Sequence, residues 1–167
     1  DRMHLVGTKR GVAPAGATGW LVHARLGESP TLVWVRPDDP GVTVETESRV
    51  DGSMLCTLHL DAHLPASRMI AEGDEVDAVC QQALEFTRLL QCSELYGIAR
   101  RVFCLTLDYL KTRVQFGRAI GANQALQHRA TEMFVALEQG RSMAMLAAMT
   151  IDEPDAAERA RNIAMVK

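Results

Sequence analysis

The chain has no run of about 18 consecutive apolar residues, the length a membrane-spanning helix requires, and no charged start, apolar stretch and cleavage site at its N-terminus. Neither a membrane span nor an export signal is expected. A basic surplus is missing too: 18 Lys and Arg stand against 21 Asp and Glu, a net charge of −3. That balance argues against nucleic acid or anionic lipid as a partner, since both are held by clustered positive charge. Cysteine is sparse, with four residues and no CxxC pair. Cys80, Cys92 and Cys104 recur every twelve residues inside a helical pattern, and with Cys56 they read as buried thiols of a reducing compartment.

The common catalytic templates are absent as well: no GxGxxG, Walker loop, HExxH or GxSxG occurs. His4, His23, His59, His63 and His128 are scattered. The four-residue spacing of His59 and His63 falls in a strand, where it does not bring two ring nitrogens together, so no metal site is expected.

What is present is enough for a packed core. Apolar residues make up 47% and charged residues 23% of 167, a globular balance in a chain long enough for one domain or two small ones. Residues 5 to 65 form short β-like runs, clearest at Trp20–Arg25 and Thr31–Val35. In Leu55–Leu60 the residues Cys56, Leu58 and Leu60 alternate with Leu55, Thr57 and His59, the period-two mark of a sheet. Turns are written at Asp38–Gly41 and Asp51–Gly52.

After Pro65 no proline occurs until Pro154, and Leu, Ala, Met, Glu and Arg dominate, as helices prefer. Val76, Val79, Ala83, Phe86, Leu90, Ile98, Val102 and Leu105 predict one buried stripe on a helix of roughly 40 residues. Leu84, Leu95, Ala99, Phe103 and Leu110 predict a second apolar side, placing that helix inside a bundle. A break at Phe116–Gly121 ends it, and Asn123 is a candidate N-cap for a second helix with Leu126, Ala130, Met133, Leu137, Gly140, Ala144 and Ala147 on one face. A third is predicted from near Glu153, with Asp152 or Glu153 as cap and Pro154 in its first turn, running into Lys167. The fold expected is α+β: a small antiparallel β-barrel or sandwich over 1–70, then a partial antiparallel up-down helical bundle over 71–167. Two and a half helices do not close a bundle, so the chain reads as a piece of a longer protein, with further helices or a partner covering the remaining faces.

The densest polar cluster is Lys111 to Arg118. It reads either as a basic helix end complementing the macrodipole or as a phosphate site in which Arg113 supplies charge-assisted donors and Phe116 packs against a base. The residues alone leave both open. The run RVQFGRAIGANQ from Arg113 to Gln124 resembles the RxxFGxxIxxxQ signature of acyl-CoA dehydrogenases. The resemblance extends to Glu132, Met133, Glu138 and Arg141, to Gly7, Lys9 and Val12 before WLVHAR, and to DDPGV at 38–42. It covers essentially the whole chain, as the middle β domain plus the start of the C-terminal helical domain.

The resemblance implies a flavin enzyme that draws an α proton from an acyl-CoA with a carboxylate base while the β hydrogen leaves as hydride to FAD. Arg113 would meet the pyrophosphate of FAD, Phe116 would lie near its adenine, and Gln115 and Gln124 would donate hydrogen bonds, the turn serving a neighbouring subunit's cofactor. An acyl-CoA substrate, electron-transfer flavoprotein as acceptor, a homo- or hetero-oligomer (dimer or tetramer) and a cytoplasmic location (mitochondrial matrix in a eukaryote) follow from the same likeness. In most members the base lies in later helices. In others it occupies the position of Thr87, which cannot serve, so no catalytic base is expected in this chain, and Arg88 and Thr87 are expected to line the acyl pocket. Where many members carry Trp and a hydroxyl residue beside the flavin, this chain has Gly11 and Ala13. That departure fits either a pocket for a bulky acyl group or a non-catalytic scaffold subunit completing a partner's flavin site. An oxidase or flavin monooxygenase is a third reading on the same fold.

Overall fold

The computed structural model describes residues 2–165; Asp1, Val166 and Lys167, and with them the C-terminal end of the expected helical domain, lie outside the described residues. Six strands come first: β1 (Arg2–Val12), β2 (Trp20–Leu26), β3 (Ser29–Val35), β4 (Val42–Ser48), β5 (Met54–Pro65) and β6 (Met69–Glu72). They form two antiparallel sheets of three strands, ordered β1-β5-β4 and β2-β3-β6. The alternation read from the sequence places Cys56, Leu58, Leu60, Ala62 and Leu64 of β5 inward, where they share one core with Leu5, Trp20, Val22, Val33 and Val35. A core common to two sheets makes the unit a sandwich. Among the described residues no ladder joins the sheets into a closed barrel, so of the two expected forms the sandwich is the one realised. The segments after β1, β3 and β5 carry the chain from one sheet to the other instead of hydrogen-bonding it round.

The second of these crossovers is fixed locally. Arg36 N donates to Asp39 Oδ2 at 2.8 Å, and Arg68 donates to Asp39 Oδ1 at 2.8 Å. Gly41, at φ +86°, accepts a bond from Asp61 N at 2.9 Å. A Cβ there would collide with the Asp61 carbonyl. Only glycine combines that close approach with that backbone angle.

Three helices follow: α1 (Asp74–Thr112), α2 (Gln124–Thr150) and α3 (Ala156–Ala164). Asp74, Glu75 and Asp77 in the first turn of α1 and Lys111 in its last suit the helix dipole. Gly73 N donates to the Pro30 carbonyl at 2.9 Å, and His23 Nε2 lies 3.0 Å from Asp77 Oδ1, tying that first turn to the β2-β3-β6 sheet. The chain divides into two compact units, Asp1–Cys80 and Gln81–Lys167. Within the second, Leu89 of α1 is buried with Ala147 of α2 and Ile163 of α3, and Phe103 lies 6.0 Å from Phe134 between ring centroids. Residue numbers rise along α1 as they fall along α2, so the pair is antiparallel.

Four sequence expectations change. The first predicted stripe of α1 is largely exposed, with Phe86 at 51%, Leu90 at 55% and Val102 at 51%, and of the second side Leu84 and Leu95 are exposed while Phe103 and Leu110 are half-buried. The covered side is the one through Glu85, Leu89, Cys92, Tyr96 and Phe103, because α2 and α3 pack on that side alone. The cysteines are not uniformly buried: Cys56 is, Cys80 and Cys92 are half-buried, Cys104 is exposed, and none forms a disulfide. Twelve residues are about three and a third helical turns, so the three helical cysteines point to three different sides. Helix α1 ends at Thr112, before the expected break. Finally, α3 is capped by Asp155, whose carboxylate accepts from Ala157 N at 2.8 Å and Glu158 N at 3.2 Å, leaving Pro154 ahead of the cap rather than in the first turn. One aspartate satisfying two orphan amides there outweighs the alternatives.

Candidate functional site

The segment after α1 is a hairpin. Arg113 N donates to Tyr109 O and Ile120 N donates to Arg113 O, each at 2.9 Å. Between them β7 (Val114–Gln115) pairs with β8 (Arg118–Ala119). The two-residue turn is Phe116–Gly117, with φ values of +53° and +78°, the double positive φ of a type I′ hairpin. A bulky residue is an outlier in that region, at a cost of about 1–3 kcal/mol. Phe116 is also fully exposed, at 100%. A strained backbone that lifts an aromatic ring wholly into solvent gives nothing to this chain's own packing.

Arg113 and Gln115 are exposed on the same hairpin, so the fold gathers those two residues and Phe116. Gln124 is the exposed first residue of α2, past the 3-10 turn Ile120–Ala122. The two parts are braced together by side-chain bonds that no sequence pattern foretold. Arg118 donates to Asn123 Oδ1 at 2.7 Å, and Gln127 Nε2 donates to the Gly121 carbonyl at 2.9 Å. Asn123 is the N-cap position of α2 as expected, yet its side chain makes no cap bond; Arg118 holds it. A Cβ on Gly121 would stand 2.8 Å from the Leu110 carbonyl oxygen, so the glycine lets the chain return against the end of α1.

The other candidate residues lie toward the N-terminal half of α1. Arg88, Gln91, Cys92 and Tyr96 line one end of a groove of about 1000 Å³, continued by Ala99, Phe103, Leu137 and Gly140 and reaching Ile163. Small residues on α2 widen it, and its wall is mostly apolar. Thr87 is exposed, its hydroxyl donating to the Ala83 carbonyl at 2.8 Å, and the groove wall includes Arg88 without it.

The carboxylate nearest this region in sequence is Glu85, which the sequence reading missed. It is 1% exposed. Its oxygens accept Arg159 Nε at 2.7 Å and Gln81 Nε2 at 3.0 Å. Burial pushes its carboxyl up, but the hydrogen bonds of Arg159 and Gln81 and the charges of Arg159 and Arg88 outweigh burial and hold it below the ordinary glutamate value. A buried, doubly bonded, acidic carboxylate is a poor proton acceptor. Its i, i+4 register with Leu89 was the available signal.

In the β unit, Gly11 sits within the register shift of β1, between Lys9 and Val12, at φ +65°. A Cβ there would meet nothing within 4 Å, so the space is open. The histidines of the sheets each face a carboxylate or one another: His4 lies 2.6 Å from Asp61 and stacks on His63 at 4.2 Å, and His59 lies 3.3 Å from Glu45. Among the described residues no group of three or more His, Cys, Asp or Glu is placed to hold a metal ion, and no helix is long and apolar enough to cross a membrane.

A sandwich followed by long antiparallel helices, joined by an arginine-bearing hairpin, is the architecture of a known class of flavin-linked oxidoreductases. The family profile described as "Acyl-CoA dehydrogenase, C-terminal domain" matches residues 78–167, more than half of the chain, and the chain belongs to the acyl-CoA dehydrogenase family. It is similar to the probable acyl-CoA dehydrogenase FadE2 of Mycobacterium tuberculosis, 28% identical over 84% of this chain and 36% of that protein. Its fold matches glutaryl-coenzyme A dehydrogenase in a glutaryl-CoA complex with a TM-score of 0.88 at 23% identity, over 99% of this chain and 44% of that one. The ChsE4-ChsE5 complex of Mycobacterium tuberculosis matches at 0.76 and 24%, over 98% and 47%. The chain therefore spans about a third of that curated relative and under half of those solved chains.

Proposed function

We propose that the protein carrying this chain is an FAD-dependent acyl-CoA dehydrogenase that desaturates an acyl-CoA thioester between its α and β carbons. The observation carrying this reading is the hairpin, where Phe116 is held at φ +53° and fully exposed beside exposed Arg113 and Gln115. Its donor set suits FAD: a planar cation for a pyrophosphate, an amide for hydrogen bonds and an aromatic face for an adenine. When bound, FAD supplies the hydride acceptor. Arg113 holds the pyrophosphate, Phe116 packs near the adenine, and Gln115 and Gln124 donate to the cofactor. Because these groups point away from their own chain's core, the cofactor they serve is a neighbouring subunit's, in a dimer or tetramer.

Arg88 lines the acyl groove, with Thr87 beside it on the helix. Neither Thr87 nor the paired Glu85 takes the α proton, so the base comes from outside these residues and the chain by itself is inactive. Domains 1–70 and 71–167, electron-transfer flavoprotein as acceptor, and a cytoplasmic or mitochondrial-matrix setting complete the reading.

A second reading is favoured by the open space at Gly11 and by the likeness to one chain of a two-name complex: a scaffold subunit that completes a partner's flavin site. The visible absorption of the full-length protein separates the two. Stoichiometric flavin in the lone protein, bleached by an acyl-CoA, supports the dehydrogenase. A colourless protein that gains half-stoichiometric flavin only with its partner supports the scaffold.

A further inference from the structure

Glu85 has two arginines within its field. Arg159 of α3 occupies one carboxylate oxygen at 2.7 Å and is itself fixed by donating Nη1 to the Glu153 carbonyl at 2.6 Å. Gln81 occupies the other oxygen at 3.0 Å. Arg88, on α1 like Glu85, acts on the same carboxylate through space and lines the apolar groove. At i, i+3 spacing Glu85 and Arg88 are neighbours on the helix surface. The Arg88 guanidinium therefore has two destinations, the buried carboxylate or the groove.

We propose that Arg159 is a positioning residue: by neutralising Glu85 from α3 it leaves Arg88 to the groove, where that arginine meets the polar end of an acyl thioester. What Arg88 meets there rests on the acyl-CoA reading; the competition between two arginines for one carboxylate does not. Arg159 wins because a charge-assisted bond to Glu85 and a second bond to the Glu153 carbonyl use two edges of one planar group. An uncompensated buried carboxylate is strongly unfavourable, so loss of the Arg159 charge draws Arg88 inward and out of the groove.

The test uses the full-length protein in four forms: wild type, Arg159→Gln, Arg159→Lys and the neutral double variant Glu85→Gln with Arg159→Gln. The probe is phenylglyoxal, which modifies accessible guanidinium groups, with Arg88 followed by peptide mass spectrometry. R159Q is expected to slow Arg88 modification roughly tenfold, as capture in one charged hydrogen bond would. The double variant is expected to keep the wild-type rate, and R159K to recover much of it, because the charge remains while the planar fork is lost. The KM for octanoyl-CoA, used as a probe substrate, should rise in R159Q and recover in the other two. Unchanged Arg88 reactivity in R159Q overturns the proposal, as does a double variant that stays slow. An R159Q chain that fails to fold also overturns it, since Arg88 would then have failed to compensate Glu85. If Arg88 reactivity follows the expected order while no form responds to octanoyl-CoA, the positioning role stands and the acyl reading of Arg88 falls.

Discussion

Arg118 donates to the side-chain oxygen of Asn123 at 2.7 Å, and that bond joins the returning strand of the hairpin to the residue that opens α2. It is exposed, so its contribution to global stability is small. Asn123→Ala is expected to lower stability by about 0.5–1.5 kcal/mol while markedly raising amide hydrogen exchange over residues 114–119. Unchanged exchange there would show that backbone bonds alone hold the hairpin.

Phe116 separates stability from function. Asparagine and glycine occupy positive φ at little cost, so Phe116→Asn is expected to relieve about 1 kcal/mol of backbone strain. Chemical denaturation of the full-length protein should show equal or higher stability, and a flavin titration should show weaker binding. Weaker binding with no stability loss is the signature of a residue kept for what it touches outside its own chain. Loss of stability without loss of flavin would overturn that role.

Arg113→Ala removes the proposed pyrophosphate contact. A charge-assisted hydrogen bond contributes about 1.5–3 kcal/mol, so the flavin dissociation constant should rise roughly 10- to 150-fold. Arg113→Lys should recover part of this, because the charge remains and the planar fork is lost. Isothermal titration of the apoprotein with FAD reads both. Equal affinity in all three forms would return Arg113 to a helix-end cation.

Gly41→Ala tests the crossover between the sheets. The new Cβ meets the Asp61 carbonyl at φ +86°, and alanine at positive φ costs more than the 0.4–1 kcal/mol that glycine's freedom normally loses. A fall of about 2 kcal/mol or more in denaturant unfolding is expected. A neutral variant would mean that the loop shifts freely.

Acid should loosen α3. The Glu85 carboxyl is held below its ordinary value in the folded chain, so it stays ionised where an unfolded chain's glutamate already binds a proton. The stability it contributes is present above the unfolded value and is lost as pH falls through the folded one. The stability difference between wild type and Glu85→Gln should therefore be constant near neutrality and shrink in acid. A difference independent of pH would mean that the pair's charge contributes nothing.

The sequence by itself determined whatever depends on near neighbours along the chain. Alternation in Leu55–Leu60 set which side chains of β5 face inward, the proline-free stretch after Pro65 permitted one long helix, and Gly117 marked a turn. These follow from the periods of two and 3.6 residues and from the φ range open to each residue type. Tertiary structure decided the rest. Periodicity offered two apolar sides for α1, yet Ala147 and Ile163 pack on Leu89, which lies in neither predicted set. No local rule joins Glu85 to Arg159, 74 residues apart; each is an ordinary charge on its own helix until burial makes the pairing obligatory. The sandwich in place of a barrel was likewise fixed by hydrogen bonds between distant strands. Local pattern states what each segment can bury, and only the assembled fold supplies the surface against which it is buried.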